Sequence, residues 1–209
     1  MLVRDEHIDK DGKLGIWKIE EPPDELLQLF PESLRSRAAS HIENLRSEKR
    51  VTEWLSTRLL LLQLLNEDKI VHHHRNGQPY LTDQSYRISI SHTNNYAAIL
   101  LHPFRKVGID VEYRSERVAK ISSKFISPEE FVDESQKLLH QTLLWSAKET
   151  LFKIIGEDAI DFRCHLHIHP FSPQSQGVMT ASETKTPERR LFEVHYEVFP
   201  EYVLTWAVA

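Results

Sequence analysis

The stretch Val107-Gly-Ile-Asp-Val-Glu112 lies near the middle of the 209-residue chain and predicts a β-strand, because it is apolar and rich in β-branched residues. Side chains alternate between the two faces of a strand, so Asp110 and Glu112 should point to the same side. Taken alone, two acids on a strand indicate a solvated face more often than a functional site. Their significance depends on a helix predicted further along the chain.

A helical pattern runs through Trp145-Ser-Ala-Lys-Glu-Thr-Leu-Phe-Lys153. Glu149 and Lys153 are one turn apart on this helix, and Lys148 directly precedes Glu149 in the sequence. The strand and the helix together supply three carboxylates and two lysines. Hard oxygen ligands with cations beside them are what Mg²⁺ and a phosphate-handling centre require. The two stretches therefore predict a magnesium site.

The same stretches resemble the pattern of the 4′-phosphopantetheinyl transferase superfamily, G-[IV]-D-[IV]-E followed by W-x-x-K-E-x-x-x-K, and fill every defined position. Ile88-Ser-Ile-Ser-His92 is similar to the family's N-[IL]-S-H tract, with Ser89 where Asn is usual. Asn76-Gly-Gln-Pro79 is similar to the family's G-K-P turn, with Gln78 in place of Lys. The length and single-chain layout resemble the surfactin-synthetase-type subgroup.

This resemblance implies transfer of the 4′-phosphopantetheine arm of coenzyme A to a serine of an apo acyl or peptidyl carrier protein, with release of adenosine 3′,5′-bisphosphate. Mg²⁺ would be the cofactor and coenzyme A the co-substrate. Two alternatives stay open at this point. One is a non-enzymatic homologue that binds coenzyme A or a carrier protein, and the other is a metal-dependent phosphohydrolase.

For the metal site, the resemblance implies that Asp110, Glu112 and Glu149 are the protein ligands of Mg²⁺. It implies that Lys153, and with it Lys148, offsets negative charge on the leaving bisphosphate.

For the base that accepts the serine proton there are two candidates. One is Glu149, and the other is Glu130, which falls where family members carry a Glu after an F-x-S tract. The coenzyme phosphate is expected near Ser91 and His92, where a hydroxyl and an imidazole end a predicted strand.

Two arginines on a predicted helix are further candidates for coenzyme binding. Arg50 and Arg58 are about 80° apart around the helix axis, so both can border one groove. Arg58 interrupts a leucine-rich face and costs stability unless it is paired or bound to an anion. For Arg50 the alternatives are a salt bridge to Glu53, or replacement in this role by Lys49.

The predicted elements repeat along the chain. A long helix (47–66) and a hairpin (87–102) are followed later by a long helix (136–155) and a second hairpin (190–208). This indicates an α+β fold of two similar α/β subdomains in a pseudo-twofold arrangement, with the active-site cleft between them.

The predicted boundary gives subdomains of residues 1–105 and 106–209. Between the predicted elements, the stretch 128–134 reads as a helix opened by Ser127 and a proline. The stretch 172–189 is rich in Ser, Thr, Pro and Gln and reads as a surface loop.

Composition sets wider bounds. The net charge is −5, which argues against bulk binding to nucleic acid. No apolar run reaches the ~20 residues of a membrane span, and the N-terminus has no apolar stretch typical of a signal peptide. The single cysteine excludes an intrachain disulfide. These features indicate a cytoplasmic protein, expected to be a monomer.

A carrier protein presents an acidic helix, so its binding to this acidic chain should use a local basic patch. Arg117, Lys120 and Lys124 would share one face of a helix, with apolar Val118, Ile121 and Phe125 on an adjoining face. This predicts an amphipathic docking surface beside the metal site, although a solvated basic face over a structural helix is equally compatible with the pattern.

Overall fold

Two antiparallel sheets, each packed against one long helix, form most of the computed structural model, which describes residues 1–209. In chain order the elements are β1 (Leu2–Ile8), β2 (Gly12–Lys18), α1 (Pro23–Gln28), α2 (Glu32–Ile42), α3 (Glu48–Leu65), β3 (Val71–His73), β4 (Pro79–Leu81), β5 (Arg87–His92), β6 (Tyr96–His102), β7 (Val107–Tyr113), α4 (Glu116–Lys120), α5 (Lys137–Ile155), α6 (Phe162–His165), β8 (Leu166–Ile168), β9 (Gln176–Glu183), β10 (Leu191–Val198) and β11 (Tyr202–Val208). Short 3-10 helices lie at Ser122–Lys124 and Glu134–Gln136. No helix combines the length and apolar character that crossing a bilayer requires.

The four-stranded sheet has the order β1-β2-β6-β5, and the five-stranded sheet has the order β7-β11-β10-β9-β8. Strands β3 and β4 form a separate pair. Helix α3 packs on β2 and β6, and α5 packs on β7 and β11. The predicted mixture of helices and sheets is confirmed, as are both long helices and both hairpins. Strand β1 was not predicted, because half of it is exposed at the sheet edge and it carries charged residues there.

Two of the predicted elements are wrong. The stretch 128–134 forms no α-helix: residues 128–130 make a turn, and the buried Glu130 carboxylate accepts a hydrogen bond from the Ser127 amide at 2.8 Å. The stretch 172–189 contains β9 instead of an open loop. Met179 and Ala181 point inward from β9 and are fully buried, while the alternate residues Val178, Thr180 and Ser182 are not, so the largely polar composition of the stretch conceals the strand.

Three apolar cores hold the elements together. The first lies between α3 and one face of the four-stranded sheet, and the second lies between α5 and the five-stranded sheet. The third lies between strands of the two sheets and contains Leu14 and Ile16 from β2 with Ile109 and Leu204 from β7 and β11. The two sheets are therefore joined by buried apolar surface, which is the dominant favourable term in folding.

The second core contains two residues that were predicted to form an apolar docking face on α4 and the turn after it. Val118 and Phe125 are each only 1% exposed and belong to this core. They cannot form an apolar docking face, so that part of the predicted amphipathic surface is wrong. Ile121 is partly buried against the same core. Helix α4 ends at Lys120, and its exposed residues are the basic Arg117 and Lys120 together with the acidic Glu116.

Close contact between β7 and α5 depends on Gly108. A Cβ atom at this position would lie 2.3 Å from the Thr150 carbonyl oxygen of α5, which is too close for any other residue without backbone movement. The glycine of the G-I-D-V-E stretch therefore brings the strand and the helix together. The side chains that follow on both elements can then meet.

Helix α5 contains a buried ion pair. The Lys148 ammonium donates to Glu130 Oε2 at 2.7 Å, to the Phe125 carbonyl at 2.6 Å and to the Phe162 carbonyl at 3.0 Å. Both charged side chains have no exposed surface. Glu130 Oε1 accepts from the Ile168 amide at 2.8 Å, so both carboxylate oxygens have partners. The pair connects α5 to the 125–130 segment and to β8.

Loss of one partner of this pair should destabilise the protein strongly. We expect Lys148→Met to lower the free energy of unfolding by about 3–5 kcal/mol, because it leaves the Glu130 charge buried without a cation. Adding Glu130→Gln should recover part of this loss, since the remaining charge is then removed. Denaturant titration followed by circular dichroism measures both effects.

Lys137→Met is the matched control on the same helix. Lys137 pairs with Glu134 at 3.1 Å with both side chains mostly exposed, and such surface pairs contribute little. The unfolding free energy of this variant should change by less than about 0.5 kcal/mol. Equal effects of the two lysine substitutions would contradict a structural role for Lys148.

Candidate active site

Three predicted metal ligands line one cavity of about 590 Å³ beside β7 and α5. Asp110 and Glu112 project from β7 as alternate residues of the strand, and Glu149 projects from α5. His92, at the end of β5, borders the same cavity. Residues from both halves of the chain therefore line this cavity.

Asp110 is the most constrained of the three carboxylates, with 6% of its surface exposed. Its Oδ1 accepts from Ser91 Oγ and from the Lys153 ammonium, both at 2.9 Å. Its Oδ2 accepts from Ser146 Oγ at 2.8 Å. The Lys153 ammonium also donates to the Ile109 carbonyl at 2.7 Å. Residues from β5 and α5 thus fix both the orientation and the charge of Asp110.

The other two carboxylates have raised pKa values. Burial raises the pKa of Glu112, and the negative charge of Asp110 raises it further, although the Trp145 indole N–H donates to Glu112 Oε2 at 3.1 Å. Burial raises the pKa of Glu149 to about 7, with contributions from the charges of Asp110 and Glu112 that Lys153 partly offsets. Glu149 makes no side-chain hydrogen bond. A bound cation would relieve this repulsion.

The donor set fits Mg²⁺ in its chemistry, since three mutually repelling carboxylates face one cavity and supply the hard oxygens that this ion prefers. The carboxylate oxygens are not positioned as a set of metal ligands. No group of three or more His, Cys, Asp or Glu side chains is arranged so that it could hold a metal ion. Asp110 is instead occupied by Lys153 and two serines. The predicted convergence holds for the cavity and not for the atoms of a ligand shell.

His92 lies at the first-half side of this cavity. Its Nδ1 is 3.2 Å from Glu53 Oε1, and Glu53 in turn is 3.8 Å from the Lys49 ammonium. Burial lowers the pKa of His92. The negative charge of Glu53 opposes this shift, and the positive charges of Lys153 and Lys49 add to it. Glu53 is thus engaged by His92 and Lys49. The alternative salt bridge from Arg50 to Glu53 is absent, and Arg50 is exposed.

Arg58 has no anionic partner. Its guanidinium lies over the Trp54 ring, 5.3 Å from the ring centroid, and it makes neither a hydrogen bond nor an ion pair. Burial lowers its pKa to about 10. Arg58 borders a cavity of about 450 Å³ that Arg50 and His92 also line. The three predicted phosphate contacts of the first half therefore share one cavity, and Arg58 supplies a charge there that the protein does not neutralise.

Three of the predicted site residues have other tasks. Lys148 and Glu130 form the buried ion pair beside the second core and do not border the carboxylate cavity. The Ser91 hydroxyl donates to Asp110 and accepts from the Val111 amide at 3.2 Å. It therefore orients a carboxylate instead of being free to contact phosphate.

Two residues that sequence reasoning did not assign to the site belong to it. Ser146 binds Asp110, and Trp145 binds Glu112. A helical projection could have identified both, because Trp145, Glu149 and Lys153 repeat at intervals of four and Ser146 lies three before Glu149. The sequence does not show that these two side chains donate hydrogen bonds to the carboxylates of β7.

Comparison with known proteins agrees with this site. Residues 106–207 match the model of the 4′-phosphopantetheinyl transferase superfamily, and this range includes every carboxylate of the cavity. The 4′-phosphopantetheinyl transferase gsp of Aneurinibacillus migulanus is 30% identical over 156 residues, which cover 66% of this chain and 62% of that relative. The chain thus matches less than two thirds of the relative's length. The second half of the chain is thus similar to the 4′-phosphopantetheinyl transferase superfamily.

Proposed function

We propose that this protein transfers the 4′-phosphopantetheine arm from coenzyme A to a serine of an apo acyl or peptidyl carrier protein and releases adenosine 3′,5′-bisphosphate. The observation that carries the proposal is the cavity in which Asp110, Glu112 and Glu149 meet beside Lys153, within the range that matches the superfamily. The activity of the relative, as its name states it, supports the same conclusion.

The proposal includes the arrangement of the surfactin-type subgroup. Residues 1–105 and 106–209 are two subdomains related by a pseudo-twofold axis, with the coenzyme between them. Each half has a long helix on an antiparallel sheet, which supports this arrangement. Ser89 and Ser91 of the first half accept hydrogen bonds from the β7 amides of Ile109 and Val111, at 3.1 and 3.2 Å, so the halves meet directly at the cavity.

Asp110, Glu112 and Glu149 would hold Mg²⁺ in this reaction. The ion supplies neutralisation of the negative charge on the pyrophosphate oxygens, on which phosphoryl transfer chiefly depends. Lys153 keeps a second positive charge next to Asp110, where it offsets charge on the leaving bisphosphate. Its hydrogen bond to the Ile109 carbonyl holds the ammonium in that place.

Glu149 is the group that accepts the serine proton. Glu149 lines the carboxylate cavity, whereas Glu130 has no exposed side-chain surface. It has no hydrogen-bond partner to compete for its oxygens, whereas both oxygens of Glu130 are occupied. A positioned base contributes about 10²–10⁴-fold to the rate, so loss of this function alone should leave residual activity.

Incubation with coenzyme A, Mg²⁺ and an apo carrier protein tests the activity directly. We expect the carrier to gain the mass of one phosphopantetheine arm, and the gain to disappear when Mg²⁺ is removed with a chelator. Asp110→Asn should reduce the rate by at least about 10³-fold, because it removes a charge of the proposed metal site, and its amide keeps the size and the serine hydrogen bonds of the buried side chain, so the protein should stay folded. Asp5→Ala, at an exposed acid of β1, should not change the rate.

The alternatives give different results in this assay. A phosphohydrolase would release adenosine 3′,5′-bisphosphate from coenzyme A without a carrier protein. A binding homologue would retain coenzyme A and add no mass to the carrier, and either outcome would contradict the proposal.

The 3′-phosphate of coenzyme A binds in the first half, with Arg58 and His92 and with Arg50 or Lys49. Arg58 carries the argument, because its buried charge is unneutralised. Arg58→Ala should weaken coenzyme A binding by roughly 10–100-fold, the range for one charge-assisted contact, and should slow saturated turnover much less.

Dephospho-coenzyme A provides the control for this assignment. Its affinity should be the same for the wild-type protein and for Arg58→Ala, because the contact in question is missing from this ligand. Arg46→Ala, at an exposed arginine just before α3, should leave both affinities unchanged. An equal loss of affinity for both ligands would assign Arg58 to another part of the coenzyme or to the fold.

The carrier protein docks on the exposed basic residues that follow β7. Arg117 and Lys120 lie on α4 and Lys124 on the 3-10 turn after it, while the apolar residues between them are in the core. Arg117 also borders the carboxylate cavity, so the basic surface continues into the site. Recognition of an acidic helix would then be electrostatic and would not need an apolar face.

Reversal of two of these charges tests the docking surface. Lys120→Glu with Lys124→Glu should raise the KM for carrier protein by about tenfold or more and reduce its salt dependence, with coenzyme A affinity unchanged. Lys10→Glu with Lys137→Glu changes the net charge equally at exposed sites on other elements and should leave the KM for carrier protein within about twofold. Unaltered carrier kinetics in the first variant would place docking elsewhere.

A further inference from the structure

The turn between β3 and β4 contacts the C-terminal end of α5, which belongs to the other half of the chain. Gln78 Nε2 donates to the Lys153 carbonyl at 2.6 Å, and Asn76 Nδ2 donates to the Gly156 carbonyl at 2.9 Å. The last four carbonyls of a helix have no partners within it and must be satisfied by other groups. Two side chains from the first half therefore act as the C-cap of α5.

The turn is built to hold these two amides in place. Asn76 Oδ1 accepts from the Gln78 amide at 3.1 Å. His74 donates its amide to the Gln78 carbonyl and accepts from the Gly77 amide, both at 2.9 Å. Gly77 has a φ of 85°, in the left-handed region that other residues adopt with strain. The side chains of Asn76 and Gln78 thus project from a turn that is closed by backbone hydrogen bonds.

The helix end is shaped for the same contact. Gly156 ends α5 in the left-handed conformation, with a φ of 69°. A Cβ atom on this residue would lie 2.7 Å from both the nitrogen and the oxygen of the Gln78 side-chain amide. Any larger residue at position 156 would displace Gln78. The glycine provides the space that lets the amide reach the carbonyl of Lys153.

Lys153 is held at both ends by this arrangement. Gln78 binds its carbonyl, while its ammonium binds Asp110 Oδ1 at 2.9 Å and the Ile109 carbonyl at 2.7 Å. Glu149 lies one turn earlier on the same helix. A shift of the end of α5 would therefore move Lys153 and Glu149 together relative to Asp110.

We propose that Asn76 and Gln78 are positioning residues that cap α5 from the first half and so hold Glu149 and Lys153 in register with Asp110. The proposal rests on the proposed transferase function. It assigns the Gln78 amide to the helix, at the position where a lysine of the resembling family pattern would add a positive charge. The cap makes the geometry of the site depend on the contact between the two halves.

The isosteric variant Gln78→Glu tests this role. It keeps the size of the side chain but places an acceptor against the Lys153 carbonyl and a negative charge at the negative end of the helix. At saturating coenzyme A, kcat for carrier modification should fall about tenfold or more, while the KM for coenzyme A stays within about twofold. Gln78→Lys restores a donor and should recover kcat to within about threefold of wild type.

Gln63→Glu is the matched control, because it makes the same change on an exposed position of α3. It should leave both constants unchanged. An unchanged kcat in Gln78→Glu would overturn the proposal. A rise in the KM for coenzyme A with normal kcat would also overturn it, since that result would assign Gln78 to a direct coenzyme contact.

Hydrogen exchange separates this proposal from the transferase assignment. In the protein without coenzyme, the amides of the last turn of α5, residues 153–156, should exchange about tenfold faster in Gln78→Glu than in wild type, the factor expected for loss of one hydrogen bond. This measurement needs no activity. If the wild-type protein fails to modify any carrier, unchanged exchange would still refute the cap, and faster exchange would still support it.

Discussion

The carboxylate of Asp110 is the point on which the arrangement of the site depends. It is nearly buried, and a buried charge is costly unless it is paired and hydrogen-bonded. Here the partners come from two elements, with Ser91 on β5 and Ser146 and Lys153 on α5. The requirement to satisfy one charge therefore fixes the relative positions of a strand from the first half, the strand β7 and the long helix of the second half.

The cluster around Asp110 is not optimised for stability. Glu112 and Glu149 are held close enough to it that burial and mutual repulsion raise the pKa of both, and the cations of Lys153 and Arg117 oppose three potential negative charges. Such an excess of negative charge is what a cation site needs before its ion binds. On the other side, Arg58 leaves a positive charge without a counterion. The two unbalanced groups have opposite signs, as expected where a metal ion and a phosphate bind in neighbouring cavities.

Features that depend on the pattern within one helix or strand could be predicted from the sequence, whereas contacts between distant segments could not. The strand with Asp110, the helix with Glu149 and the cavity they share follow from periodicity, because alternation and the 3.6-residue repeat place side chains on known faces. The pairing of Lys148 with Glu130 does not follow from periodicity. Glu130 is 18 residues from Lys148, and its pairing with that lysine required the 125–130 segment to turn inward. The cap from Gln78 to α5, 75 residues away, was equally invisible.

The W-x-x-K-E-x-x-x-K stretch shows why a motif does not assign a role to each of its residues. Consecutive residues of an α-helix are separated by about 100° around the axis, so Lys148 and Glu149 face different surroundings although they are adjacent in sequence. Trp145, Glu149 and Lys153 repeat every fourth residue and face β7 and the cavity. Lys148 falls on the face that packs into the second core, where its ammonium binds Glu130 and two carbonyls. One lysine of the pattern therefore offers its charge to the site, and the other uses its charge to hold the segment on which the site is built.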